Sequence, residues 1–176
     1  MTIKHHLSDT TLGAFTAGTL MESISLVVAS HLSLCRVCQA KHNQLEYIGG
    51  MHLLQGPTST LSDGFLQKTL LRLGNQEIAS SQIHANSNLH VNDTFPAPLR
   101  EFVPTELKNI EWNSLAPGIK GHPLTELNTG NGTLSLLKIS PGMSIPDHSH
   151  QGTELTLVLK GSFSDEIGRF GVGDIA

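Results

Sequence analysis

The sequence predicts an α+β protein of two domains, with a small helical bundle in residues 1–76 and an all-β domain in residues 98–176. Between residues 24 and 32, apolar side chains recur every three or four positions, as on one face of a helix. Residues 154–160 alternate between polar and apolar side chains, which is typical of a half-buried strand. Residues 77–97 are rich in Ser, Asn, Gln and His, and we interpret them as a flexible linker.

Start and stop signals divide the first region into four short helices. Ser8 is the predicted N-cap of the first helix, which ends before Gly18. Thr19 opens a segment of capping-box form and is therefore predicted to begin the second helix. The third helix is predicted over residues 34–48 and is expected to end at the glycine pair 49–50. A fourth helix follows and ends near residue 74.

Composition and charge exclude several classes of protein. The 176 residues are 38% hydrophobic but only 5% aromatic, so each core is thin, and metals often supplement such cores. The net charge is −4 and the chain has no basic block, which argues against direct binding of nucleic acid. The N-terminus lacks the apolar stretch of a signal peptide, and the longest apolar segment is too short to span a bilayer. We therefore expect a cytoplasmic protein.

The two cysteines of the chain lie close to a histidine. His31 and Cys35 are four positions apart, and Cys35 and Cys38 are three apart, so a helical backbone projects all three side chains to one side. Thiolates and imidazoles together are a ligand set that suits zinc. The nearest candidates for a fourth ligand are His5 and His6, which the spacing does not separate. A site with two histidines and two cysteines is closed to substrate, which predicts a structural role.

Two other interpretations of the cysteines remain open. Cys35 and Cys38 can be small core residues beside an unrelated His31. Alternatively, the C-x-x-C spacing can form a redox pair, although such pairs usually begin a helix after a strand, and no strand is predicted here.

A second group of metal-binding residue types lies between two glycines in residues 142–161. His148 and His150 are two positions apart and face the same side of a strand, and Glu154 follows across a predicted turn. Two imidazoles and a carboxylate bind a divalent metal while leaving positions open. The alternative is an exposed polar turn with two unrelated histidines.

These two segments carry a family resemblance. Residues 142–161 match the first cupin motif, G-x5-H-x-H-x3-E-x6-G, at every specified position. The spacing H-x3-C-x2-C from His31 to Cys38 resembles the zinc-binding anti-sigma domain, which has a further histidine near its N-terminus. Together they resemble the ChrR-type anti-sigma factors over nearly the whole chain except the linker. The resemblance implies that His6 is the fourth zinc ligand.

The resemblance also implies a fold and a function. It implies a helical domain that binds an extracytoplasmic-function sigma factor, and a β-barrel of cupin type that holds zinc or another divalent metal. It further implies that the sigma factor is released in response to oxidative stress, such as singlet oxygen. A cupin has a second motif with another histidine, which is not found in these residues, so we expect either that the sequence is a fragment or that the barrel is incomplete.

Three further interpretations concern partners and activity. Leu66, Leu70 and Leu73 recur at helical spacing and are candidates for part of the sigma-binding face, or equally for ordinary core positions. The competing function is that of a cupin metalloenzyme, an oxygenase or isomerase, with an accessory zinc domain. A DNA-binding zinc protein is disfavoured by the acidic charge. The regulator, and not an enzyme, is therefore the predicted function.

Overall fold

The computed structural model describes residues 2–75, 95–104, 109–124, 132–144 and 152–176. Helices occupy the N-terminal part of this structure and strands occupy the C-terminal part, as the sequence predicts. The elements in chain order are α1 (Asp9–Thr16), α2 (Glu22–Leu34), α3 (Arg36–Gln55), α4 (Phe65–Asn75), a 3-10 turn (Ala97–Leu99), β1 (Asn113–Ala116), β2 (Ile119–Pro123), β3 (Ser135–Ile139), β4 (Ser162–Ser164) and β5 (Arg169–Gly171).

The first helix begins and ends at the predicted signals. The Ser8 hydroxyl accepts a hydrogen bond from the backbone N–H of Thr11 at 3.0 Å, which satisfies one of the free donors at the start of α1. After the C-cap, Gly18 adopts a φ of +66°, a conformation that glycine reaches without steric cost. Both predictions for α1 are therefore confirmed.

The predicted start of the second helix is wrong. The N-cap of α2 is Met21, and its side chain makes no capping hydrogen bond. The Thr19 hydroxyl instead donates to the carbonyl oxygen of Ala14 at 3.1 Å, so it closes the end of α1 and does not cap α2. A hydroxyl near two helix ends can serve either one, and the local sequence does not decide which.

The predicted end of the third helix is also wrong. The helix α3 continues through Gly49 and Gly50 to Gln55. A glycine within a helix costs about 1 kcal/mol relative to alanine, but it ends the helix only where it adopts a left-handed conformation. Neither glycine has a positive φ, so the helical hydrogen bonds continue past them.

The helices α1 and α2 share a core with the C-terminal end of the chain. One compact unit comprises Met1–Ile48 together with Asn92–Ala176. Its first hydrophobic cluster consists of Leu7, Leu12, Val27, Val28, Leu32, Cys35, Cys38 and Ile175. Because Ile175 belongs to this cluster, the helical region and the C-terminal region stabilise one another. The predicted boundaries at residues 76 and 98 remain a prediction.

The strands of this unit form two small antiparallel sheets. The first has the order β1-β2-β3, with Lys120 opposite Lys138, and the second pairs β4 with β5. A second hydrophobic cluster packs beside the first sheet and consists of Phe95, Leu99, Val103, Ile110, Leu124 and Leu136. Residues 154–160 form an isolated bridge at Leu157 and not the predicted continuous strand. Their backbone nevertheless pairs with residues 173–176.

The other compact unit comprises Gly49–Val91, of which residues 49–75 are described. It contains the end of α3 and the whole of α4.

Within the described ranges no single helix is long and apolar enough to cross a membrane. The helices α2 and α3 meet the criterion of length and composition only as a pair, which is bent by 115°.

Candidate metal centre

Four side chains of the first unit converge on one point. His6 lies in the segment before α1, His31 in the last turn of α2, and Cys35 and Cys38 on either side of the start of α3. One nitrogen or sulfur atom from each residue lies within 4.8 Å of the corresponding atoms of the others. The structure therefore brings together two imidazoles and two thiols that the sequence spreads over 32 positions.

The break between α2 and α3 allows His31, Cys35 and Cys38 to converge. Cys35 is the C-cap of α2 and has an extended backbone, with φ −108° and ψ 104°. Its N–H donates to the His31 carbonyl, and its own carbonyl accepts from Gln39, so it closes one helix and opens the next. The two helices are bent by 115° at this point. The three side chains were predicted to project from one side of a helical backbone, whereas the structure places them around the bend between two helices.

The distances suit a tetrahedral metal. His6 Nδ1 is 3.2 Å from Cys35 Sγ and 3.7 Å from Cys38 Sγ. Zinc bonds to sulfur and imidazole nitrogen place ligand atoms roughly 3.3–3.8 Å apart in a tetrahedron. Both cysteines and His31 are buried, while His6 is exposed at the edge of the site. A metal here is therefore shielded from water on all sides except that of His6.

His31 provides the strongest test of whether a metal fits. Its Nδ1 lies 2.9 Å from the carbonyl oxygen of Gly173, which can only accept, so Nδ1 carries the proton. The other nitrogen, Nε2, is buried and has no hydrogen-bond partner among the described residues. A buried unpaired nitrogen is costly unless a ligand satisfies it, and a metal ion does so directly.

The electrostatics of the site keep His31 neutral. Burial lowers the pKa of His31 below its usual value of 6.5, and neighbouring His6 lowers it further, although the Gly173 carbonyl acts in the opposite direction. A neutral imidazole with its proton on Nδ1 presents a lone pair on Nε2. That is the form which coordinates metal.

The thiol of Cys38 responds in the opposite sense to burial. Burial raises its pKa above the usual value of 9.0, neighbouring Cys35 raises it further, and the backbone N–H of Leu7 lowers it. The thiol is therefore protonated near neutral pH in the metal-free chain. A metal must displace this proton, and the Leu7 N–H then remains as a donor to the thiolate.

Comparisons with known proteins identify the family of this chain. Residues 101–175 match the family model described as the ChrR cupin-like domain. The chain is 41% identical over 175 residues to the anti-sigma-E factor ChrR of Cereibacter sphaeroides, covering 99% of this chain and 79% of the relative. This chain belongs to the ChrR family. The crystal structure of Rhodobacter sphaeroides SigE in complex with the anti-sigma ChrR matches with a TM-score of 0.81 and 40% identity, covering 99% of this chain and 86% of that one.

In this ChrR-family chain the two adjacent histidines have different surroundings. His6 lies in the four-residue cluster, as the resemblance implied. The His5 ring stacks on Phe170 with centroids 3.9 Å apart, and its Nε2 lies 3.2 Å from the carbonyl oxygen of Arg169. His5 therefore attaches the N-terminal segment to β5, while its neighbour turns toward the cysteines.

The predicted cupin site of this ChrR-family chain lies mostly outside the described residues. His148 and His150 fall within residues 145–151, which the structure does not describe. Glu154 is described and is exposed. A metal site formed by these three residues therefore remains a prediction.

The leucines predicted to contact a sigma factor are exposed. Leu66, Leu70 and Leu73 lie on α4 with 61%, 56% and 62% of their surface accessible. These positions recur at a helical spacing of four and three, so the side chains share one face. This exposure favours a surface role over a core position, and the contact with a sigma factor remains a prediction.

The sequence did not reveal two residues that hold the surroundings of the four-residue cluster. Gly173 accepts from His31, and Asp174 is buried with only 3% of its surface accessible. A Gly-Asp pair after a short strand resembles many surface turns, so the sequence carries no signal for their role. His42 joins α3 to α1, because its Nδ1 lies 3.0 Å from the Thr16 hydroxyl and its ring packs on Phe15.

Proposed function

We propose that this chain is an anti-sigma factor that sequesters an extracytoplasmic-function sigma factor and thereby regulates transcription. The observation that carries the proposal is its similarity, over nearly the whole chain, to an anti-sigma factor whose structure is known in complex with SigE. The chain is a regulator and not an enzyme, as its relative is an anti-sigma factor. Its partner acts on RNA polymerase, so we place the protein in the cytoplasm.

We infer that the four-residue cluster holds a structural zinc ion through His6, His31, Cys35 and Cys38. The support is the donor set, the spacing of the donors and the buried unpaired nitrogen of His31. When bound, zinc supplies cross-links between the N-terminal segment and the two helices at the corner. Such a site contributes folding free energy on the order of 10 kcal/mol in small zinc modules.

We propose that the apolar face of α4 contacts the sigma factor. Leu66, Leu70 and Leu73 expose apolar area that a helix of a globular protein normally buries. An amphipathic helix that lays its apolar residues against a partner is a common mode of recognition between proteins. The role of the zinc site is then to keep the N-terminal helices folded so that the sigma-binding region is correctly formed.

We propose that residues 1–76 form the sigma-binding domain, residues 77–97 the linker and residues 98–176 the cupin domain that responds to oxidants such as singlet oxygen. In this proposal His148, His150 and Glu154 bind zinc or another divalent metal. Their role is best tested by substitution within the full chain. Deleting the cupin region also removes Ile175, which packs in the core of the N-terminal helices, so a truncated chain has two defects at once.

Co-purification of the full chain with candidate sigma factors tests the proposed function. Tagged protein is co-expressed with each extracytoplasmic-function sigma factor, and the eluted complex is analysed for stoichiometry and metal content. We expect one sigma factor to elute at equal stoichiometry with zinc present. If no sigma factor elutes and the chain instead carries iron and turns over a small substrate, the cupin-enzyme alternative replaces the proposal.

A separate experiment tests the proposed sensor in the complex with the sigma factor. In a His148→Ala/His150→Ala variant, sigma binding is expected to persist and oxidant-induced release to be lost.

A further inference from the structure

A buried carboxylate near the four-residue cluster holds the segment that carries His6. Asp174 Oδ1 accepts hydrogen bonds from the backbone N–H groups of Lys4 at 2.6 Å and His5 at 3.0 Å. Asp174 Oδ2 accepts a third from Gly171 at 2.7 Å. One oxygen thus fixes the two backbone amides that immediately precede the ligand His6, and the other fixes the end of β5.

Gly173, which precedes Asp174, holds the candidate ligand His31. The Gly173 carbonyl accepts from Nδ1 of His31 at 2.9 Å, which fixes the tautomer and the orientation of that imidazole. Partners that orient a metal-binding histidine in this way typically change metal affinity 10–100-fold when they are removed. Two consecutive residues, Gly173 and Asp174, therefore fix the surroundings of two of the four candidate ligands.

These two residues have a rigid attachment of their own. The N–H of Gly173 donates to the Val158 carbonyl at 2.8 Å, and the N–H of Val158 donates to the Asp174 carbonyl at 3.1 Å. Thr156 and Ala176 exchange two further backbone hydrogen bonds at 2.9 and 3.0 Å. The segment 173–176 is thus paired with residues that follow Glu154, and any displacement of that pairing moves the contacts to His31 and His5.

The carboxylate is in the form that this role requires. Burial alone raises the pKa of Asp174, but the three backbone N–H groups that it accepts from outweigh burial, so its pKa lies below the usual value of 3.8. An ionised carboxylate forms stronger hydrogen bonds to backbone N–H groups than a neutral side chain does.

We propose that Asp174 is a positioning residue for the metal site, which holds His6 in place through the backbone of the preceding residues while the neighbouring Gly173 carbonyl orients His31. This inference rests on the proposed zinc site. The contacts that orient two of the zinc ligands thus come from the C-terminal segment. A change in the strand-bearing region is therefore expected to alter the zinc affinity of the N-terminal helices.

The test compares zinc release from three zinc-loaded variants of the 176-residue chain. Asp174→Ala removes all three acceptor contacts, and Asp174→Asn retains an oxygen for Lys4 and His5 but places an amide against the N–H of Gly171. Asp165→Ala is the matched control, because Asp165 also accepts two backbone N–H bonds, from Ile167 and Gly168, at an exposed turn. Release is followed with an excess of a chromophoric zinc chelator, and amide hydrogen exchange is measured at Lys4 and His5.

We expect Asp174→Ala to release zinc about 10–100-fold faster than the unchanged chain, with Asp174→Asn intermediate and Asp165→Ala unchanged. Faster exchange at Lys4 and His5, with helical content preserved, distinguishes positioning from general unfolding. If Asp174→Ala does not fold, Asp174→Asn decides: a rate equal to that of the unchanged chain overturns the proposal. An equal effect of Asp165→Ala also overturns it. If the unchanged chain holds no zinc, the proposed zinc site itself fails, which is a separate result.

Discussion

His31 Nδ1 donates a hydrogen bond to the carbonyl oxygen of Gly173 over 2.9 Å, although the two residues are 142 positions apart. This bond leaves Nε2 of His31 buried among two thiols and the His6 imidazole. The orientation of the candidate ligand on α2 is therefore set by a residue from the strand-bearing end of the chain.

Replacing Cys35 and Cys38 with alanine is expected to abolish zinc binding and to lower thermal stability. Two thiols of the four donors are lost, and the remaining imidazoles of His6 and His31 do not hold a structural zinc ion. Metal analysis and thermal unfolding of the purified variant measure the two effects, and a pull-down measures sigma binding. Ser33→Ala, which removes one hydroxyl in the last turn of α2, is the control. Undiminished sigma binding by the double variant contradicts the proposed structural role of zinc.

Gly173→Ala is expected to destabilise the chain more than alanine at another glycine with positive φ. Gly173 has a φ of +87°, and an added Cβ lies 2.7 Å from Cδ1 of Ile3. The backbone conformation costs about 1–2 kcal/mol for alanine, and the overpacking adds about 1–3 kcal/mol. Chemical denaturation measures the change in the free energy of unfolding.

Gly161→Ala provides the matched control for this prediction. Gly161 has a φ of +79°, and its added Cβ meets nothing within 4 Å, so only the backbone cost applies. The difference between the two variants measures the steric clash with Ile3. Equal losses of stability in the two variants show that the N-terminal segment does not pack closely on Gly173.

Replacing Leu66, Leu70 and Leu73 together with serine is expected to weaken sigma binding while leaving stability nearly unchanged. More than half of each side chain is exposed, so each substitution changes the free energy of unfolding by no more than about 0.5 kcal/mol. The loss of apolar contact area is expected to raise the Kd for sigma factor at least about tenfold. Isothermal calorimetry measures the affinity and circular dichroism the fold.

The buried Leu12, on α1, serves as the comparison for the leucines of α4. It has no accessible surface, and Leu12→Ala is expected to cost about 2–5 kcal/mol of stability. A triple variant that unfolds as readily as Leu12→Ala indicates that α4 is buried in the functional protein. A stable triple variant that binds sigma factor with full affinity places the interface elsewhere.

The gain in melting temperature on adding zinc is expected to increase as the pH rises from about 6 to 9. In the metal-free chain the pKa of Cys38 is raised, so its favourable contribution to stability is present below the unfolded pKa of 9.0 and is lost as the pH rises through the folded pKa. Zinc requires the thiolate, so its binding competes less with protons at higher pH. Differential scanning fluorimetry with and without zinc measures both curves. A zinc-induced gain that does not change with pH excludes thiolate ligation.

Local signals predicted part of this fold correctly. Ser8 and Gly18 bound the first helix because a cap depends only on neighbouring backbone groups. The predictions made from Thr19 and from the glycine pair 49–50 were wrong because the local sequence there allows two outcomes. The Thr19 hydroxyl had two helix ends within reach, and the glycines kept a helical φ, so neighbouring structure decided both outcomes.

The sequence by itself determined the chemistry of the candidate metal site. Its two cysteines, one histidine at helical spacing and a family motif were enough to predict four ligands. Only the tertiary structure revealed the corner at Cys35, the bond from His31 to Gly173 and the burial of Asp174. Residue types and short spacings are local and can be read along the chain. The partners that orient a ligand come from segments more than a hundred positions away, and the folding of the core brings them together.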